Sequence, residues 1–135
     1  EHAVFGLPEP RVGLMAGAGG VHRLPRHIPY HLAMGMMLTG RHITAHQAES
    51  YGLVNEVVSL DDLLPTADRW AREILECAPL SVRASKEAAN LGIQMSLDDA
   101  LSTSFPGSQA MAASADFVEG PSWYLDPSLG GRIED

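Results

Sequence analysis

The chain has 135 residues, 45% of them hydrophobic and 19% charged, and carries a net charge of −8. That length fits one domain with its own core, and the composition excludes a disordered or fibrous chain. The acidic balance argues against nucleic acid as a main partner, the single Cys77 excludes an internal disulfide and makes the cytoplasm the expected setting, and no apolar run reaches the ~18 residues of a membrane span.

In chain order, "AVFGLPE" reads as a short strand stopped by Pro8. The glycines of "GAGG", Gly17 to Gly20, mark close backbone approach or positive φ. From "HIPYHLAMGMMLTG" the spacing of Ile28, Leu32, Met36 and Met37 predicts a helix ending at Gly40. Thr44 and Gln47 form a capping box for a short helix that stops at Gly52. "LVNEVV" then reads as a strand. "DDLLPTADRWAREILECA" predicts a longer helix with Leu63, Ala67, Trp70, Ile74 and Ala78 on one stripe, and Pro65 requires its first turn there. "PLSVRASKEAANLG" gives the next helix, and Ser96 caps another that breaks at Pro106-Gly107. Ser114 caps a last helix that stops at Gly120-Pro121, and "SWYLDPSLGGRIED" reads as turn-rich. The fold class is therefore α/β, with few short strands early and mostly helix from about residue 60. Two short strands do not make an independent sheet, so the early part belongs to a sheet whose other strands lie outside this chain.

Several arrangements are candidates for chemistry. Gly17-Ala-Gly19-Gly20-Val-His22 misses the dinucleotide fingerprint at its last position, and no Walker-type sequence accompanies Lys86, the chain's one lysine. A structural turn is the better reading, and a nucleotide-binding domain the weakest. His27 and His31 stand four apart with His22 nearby, but Pro29 intervenes and no cysteine completes a zinc set, so no metal site is expected. Ser81, Ser85 and Asp99 lack a nucleophile elbow and an ordered histidine, which excludes a serine hydrolase. Glu9 is either an ordinary exposed carboxylate or one desolvated by Phe5, Leu7 and Val12, which would suit it to general acid–base work.

Taken together, the motifs resemble the enoyl-CoA hydratase/isomerase (crotonase) superfamily. The order is Phe5-Gly-x-Pro8-Glu9, then Gly13-x-x-x-Gly17-x-Gly19-Gly20, then Arg23-Leu24, Leu38-Thr39-Gly40, Thr44-Ala45-x-x-Ala48 and Gly52-Leu-Val-Asn-x-Val57-Val58. "APLSVRASKEAAN" matches the following family helix, and "GGVHRLP" with "VEGP" looks most like a carnitinyl-CoA dehydratase-like branch.

The resemblance implies the C-terminal portion of a ββα superhelix. Residues 1–58 would carry the end of its core, residues 59–135 a helical oligomerisation region, and 122–135 an atypical tail. It implies acyl-CoA thioester substrates, hydration or dehydration of 2-enoyl-CoA, and homotrimers or hexamers. No cofactor is implied, because coenzyme A is part of the substrate. Two backbone N–H groups stabilise the enolate oxygen and two glutamates handle water and the α-carbon proton in such hydratases. The later glutamate matches Glu9. Gly17 matches the glycine whose N–H positions the water, and Pro8 and Val12 match pocket-wall positions. The family's oxyanion segments and first glutamate precede this motif, so an N-terminal half, on a separate partner chain or in residues outside this sequence, would complete the site. A split relative that keeps only the assembly helices is the alternative. Ala16 stands where many members have proline.

Overall fold

A computed structural model describes residues 1–125, with side-chain surroundings through residue 121. The chain divides into two compact units, Glu1–Ala67 and a second from Asp68 onward.

In the first unit, β1 (Val4–Phe5) pairs antiparallel with β2 (Ile43–Thr44), Val4 opposite Thr44 and Phe5 opposite Ile43. A 3-10 turn spans Glu9–Val12, and the helices are α1 (Gly20–His27), α2 (Tyr30–Thr39) and α3 (Ala45–Ser50). The core is built from Ile28, Ala33, Met36, Ile43 and Ala48, with Phe5, Leu24 and Leu53 packed against it. Ala33 and Ala48 are completely buried, and small side chains there let their helices sit close against the core.

The capping box is present in full. Gln47 N–H donates to Thr44 Oγ1 at 3.2 Å, and Thr44 N–H donates to Gln47 Oε1 at 2.9 Å. Thr44→Ala is expected to lower stability by about 1 kcal/mol, read as a lower urea midpoint. An unchanged midpoint would show that the cap contributes nothing.

Three readings of this half need correction. A separate helix, α1, precedes the one expected from "HIPY". Pro25 lies inside it, and Gly20 opens it after Gly19 at φ 100°. Both residues look like breakers, yet the helix runs through Pro25, which forfeits one helix hydrogen bond and crowds the Val21 carbonyl. His27 and His31 consequently sit on different helices, separated by extended Ile28 and by Pro29. "LVNEVV" is not a strand. Its polar backbone is met locally instead: Leu53 N–H donates to the Ala48 carbonyl at 2.8 Å, and Val57 N–H to Glu49 Oε1 at 3.1 Å. A β-branched run without a neighbouring strand has no ladder to join.

Helix α4 (Leu63–Leu75) crosses the boundary between the units, with Pro65 in its first turn as expected. It buries no residue, and Leu63, Ile74 and Leu75 stand exposed. Its ion pairs, Arg69–Glu73 at 2.8 Å and Arg72–Asp68 at 2.6 Å, are exposed i,i+4 contacts and contribute little.

The second unit continues with α5 (Pro79–Gly92), α6 (Leu97–Ser102), α7 (Pro106–Ala112) and α8 (Ala115–Leu125). Helix α5 packs on α7 around buried Ala84 and Phe105. Pro106 does break the run, and then starts α7 as its first residue. The expected stop at Gly120-Pro121 is overturned, because α8 continues through Pro121 to Leu125. The residue before a proline resists helical geometry chiefly through its Cβ, and Gly120 has none. Residues 126–135 of the expected turn-rich tail lie outside the described residues. No helix among the described residues is long and apolar enough to cross a membrane.

Candidate active site

Glu9 begins the 3-10 turn. Arg11 N–H donates to the Pro8 carbonyl at 3.0 Å, and Gly13 N–H to the Pro10 carbonyl at 3.3 Å. Gly13 adopts φ 75°, which closes the turn in the left-handed region that glycine favours. Leu14 N–H then donates to the Glu9 carbonyl at 3.0 Å, so the main chain of Glu9 is fixed.

Its side chain is different. Glu9 Oε2 is buried and accepts no hydrogen bond. Burying a carboxylate oxygen without a donor costs free energy, and such an atom is retained where something other than stability is served. That oxygen is shut off from open solvent and meets no protein donor.

The flanking segments are held closely. A Cβ on Gly6 would stand 2.6 Å from His42 Cδ2, so β1 enters the turn beneath the His42 ring. A Cβ on Gly20 would stand 2.9 Å from Leu7 Cδ2 and 3.1 Å from Ala16 Cβ, which presses the start of α1 onto the approach to Glu9.

The other expected site residues are placed as follows. Pro8 is exposed and immediately precedes the turn. Val12 ends the turn with its side chain 72% exposed. Gly17 is exposed, and its N–H donates to the Met15 carbonyl at 2.6 Å. The turn therefore brings Pro8, Glu9 and Val12 together, and Gly17 follows after the segment that ends at buried Ala16.

Two cavities lie in the first unit. One, of about 510 Å³, is lined by Phe5, Leu7, Arg23, Leu24, His27 and Leu53 among others. The second, of about 360 Å³, is lined by Leu7, Pro10, Leu14, Met15, Met34 and Met37 among others. Glu9 lines neither, although its neighbours Leu7 and Pro10 line the second. Sequence reasoning missed His42, Arg11 and the methionine wall. Arg11 carried a signal, a lone cation inside the Glu9 turn, but nothing in its spacing named its partner. Among the described residues no group of three or more His, Cys, Asp or Glu is gathered to hold a metal.

A carboxylate thus stands in a Pro-Glu turn ahead of a glycine-rich bend, next to residues that line an apolar cavity. The enoyl-CoA hydratase/isomerase family model matches residues 1–128, and the chain belongs to that family. It is 39% identical over 125 residues to a carnitinyl-CoA dehydratase of Salmonella arizonae, covering 90% of this chain and 48% of that protein. It is 47% identical over 97 residues to an (E)-benzylidenesuccinyl-CoA hydratase of Thauera aromatica, covering 72% of this chain and 38% of the relative. Among solved structures, an enoyl-CoA hydratase from Bacillus anthracis superposes with a TM-score of 0.83 at 36% identity, covering 91% of this chain and 48% of the other. The chain thus spans about half the length of these relatives, or less. The α/β crotonase fold expected from the motifs is the fold observed.

Proposed function

We propose that this chain supplies the Glu9 side of an active site that hydrates 2-enoyl-CoA thioesters or dehydrates the corresponding 3-hydroxyacyl-CoA, with syn geometry. The observation that carries the reading is the buried, donor-free Oε2 of Glu9 within the family's Pro-Glu and glycine-rich sequence. In the hydration direction, Glu9 accepts a proton from water as the water oxygen bonds the β-carbon, and the second glutamate, which the resemblance assigns to the N-terminal half, gives a proton to the α-carbon. The thioester oxygen carries the developing enolate charge and needs backbone N–H donors, which the resemblance assigns to an N-terminal half outside this chain. The Gly17 N–H engages a water only by exchanging the Met15 carbonyl for it. Pro8 and Val12 stand as walls of the completed pocket.

The reading needs no cofactor, since coenzyme A arrives with the substrate. It places the protein in the cytoplasm, in keeping with its single cysteine, with residues 1–58 as core and 59–135 as the assembly region. A homotrimer or hexamer, with an N-terminal half joined or separate, is the assembly it calls for. The unburied apolar side of α4 supports that assembly, and it equally favours the second reading, a non-catalytic oligomerisation module.

The test is loss of enoyl absorbance from crotonyl-CoA, with solution mass measured on the same sample. Turnover by the chain, or by the chain with its N-terminal half restored, supports the enzyme. Assembly without turnover in either form leaves only the module.

A further inference from the structure

We infer that Arg11 is the positioning residue for the Glu9 carboxylate, an inference that rests on the acid–base reading of Glu9 above. The Glu9 turn is four residues long, and its backbone bonds run from Arg11 to Pro8, from Gly13 to Pro10 and from Leu14 to Glu9. Bonds of that kind fix the local shape of a turn but not its place in the protein. The carboxylate does not anchor itself either, because Oε2 has no donor.

Arg11 reaches out of the turn to the rigid part of the unit. Its Nε donates to the Thr39 carbonyl at 3.2 Å, at the C-terminal end of α2. Its stem lies across Gly40: a Cβ there would stand 2.8 Å from Arg11 Cγ and 2.9 Å from Arg11 Nε. Gly40 is buried at φ +63°, so the end of α2 offers a seat of bare backbone. A guanidinium suits this seat twice over. The last carbonyls of a helix lack intrahelical donors, and the negative end of the helix dipole favours a cation. Helix α2 is itself locked into the core by Ala33 and Met36. The chain of support therefore runs from the core through α2 and Arg11 to the turn, and so to a carboxylate one residue from Pro10 and the apolar cavity. Displacing a reacting group by about 1 Å costs on the order of 10²-fold in rate.

The test uses the assembly that hydrates crotonyl-CoA. Arg11→Leu is expected to lower kcat by about 10- to 100-fold with little change in KM. Arg11→Lys restores most of it, because the ammonium still reaches the Thr39 carbonyl. Gly40→Asn keeps Arg11 and tolerates the left-handed backbone, but its Cβ displaces the arginine stem, and it should reproduce the kcat loss. A readout independent of activity is the carbon-13 resonance of the Glu9 carboxyl in the 135-residue chain, which should move in Arg11→Leu and return in Arg11→Lys. An unchanged resonance with native kcat in Arg11→Leu overturns the inference. So does a loss that falls on KM and kcat alike and that lysine does not rescue, which marks a merely structural arginine. If the resonance responds as expected while no assembly hydrates crotonyl-CoA, the positioning stands and the activity reading fails. Should Arg11→Leu not fold, Arg11→Lys and Gly40→Asn still decide it: native kcat and an unmoved resonance in Gly40→Asn overturn the inference.

Discussion

Glu9→Gln is expected to reduce kcat/KM for crotonyl-CoA hydration by about 10²- to 10⁴-fold, the usual contribution of a positioned acid–base group. The change is nearly isosteric, so the turn closed by Gly13 and Leu14 keeps its hydrogen bonds. What disappears is the ability to take and return a proton. Stability should move the other way or not at all. A neutral amide is cheaper to bury than a carboxylate, and Oε2 has no hydrogen bond to lose. The pair of results, activity lost and urea midpoint held or raised, is the signature of a group kept for chemistry at some cost to the fold. Equal activity of the two forms would remove Glu9 from the mechanism.

The second large effect belongs to the other unit. Helix α7 has Phe105 at its N-cap position with no side-chain cap bond, and Pro106, its first residue, brings no N–H. The cap comes from elsewhere in the sequence: Gly107 N–H donates to Glu87 Oε2 of α5 at 2.6 Å, in partly buried surroundings. The carboxylate also faces the positive end of the α7 dipole. Glu87→Ala is expected to cost about 1.5–3 kcal/mol, the range for hydrogen bonds to charged groups. Glu87→Gln keeps the acceptor and should cost less. Gly107→Ala tests the same junction from the far side, because its Cβ would stand 3.1 Å from the Ala84 Cα and run into the Glu87 carboxylate. Urea unfolding followed by helical circular dichroism measures all three. A native midpoint in Glu87→Ala would mean that the two helices are joined by apolar packing alone.

How much of this was legible in the sequence follows from how local each cause is. The Thr44–Gln47 box, the stop at Gly40 and the break at Pro106 are decided by residues within a turn of one another, and the structure bears them out. "LVNEVV" failed because a strand needs a neighbour, and β-branched residues alone do not supply one. Helix α1 was missed, and α8 cut short, because Pro25 and Pro121 were given more breaking power than their settings allow. The Glu9 turn announced itself through its order of motifs. That Oε2 would be left without a donor, and that Arg11 would cross to Thr39, depends on residues far apart in the chain. Likewise the Glu87–Gly107 cap joins positions separated by 20 residues, beyond the reach of any local pattern.

The open side of α4 also makes the protein optically self-reporting. Trp70 is 38% exposed, with the Arg69 guanidinium 5.7 Å from its ring centroid. A partly exposed indole is reached by water and by quenchers, and the cationic neighbour draws anionic iodide toward the ring. Any surface that comes to cover α4 replaces water around the ring, turns its emission toward the blue and shields it from quencher. In a Trp123→Phe background, Trp70 is the sole indole of the chain. A dilution series read by fluorescence then follows whether this helix face is wet or dry, with no label attached.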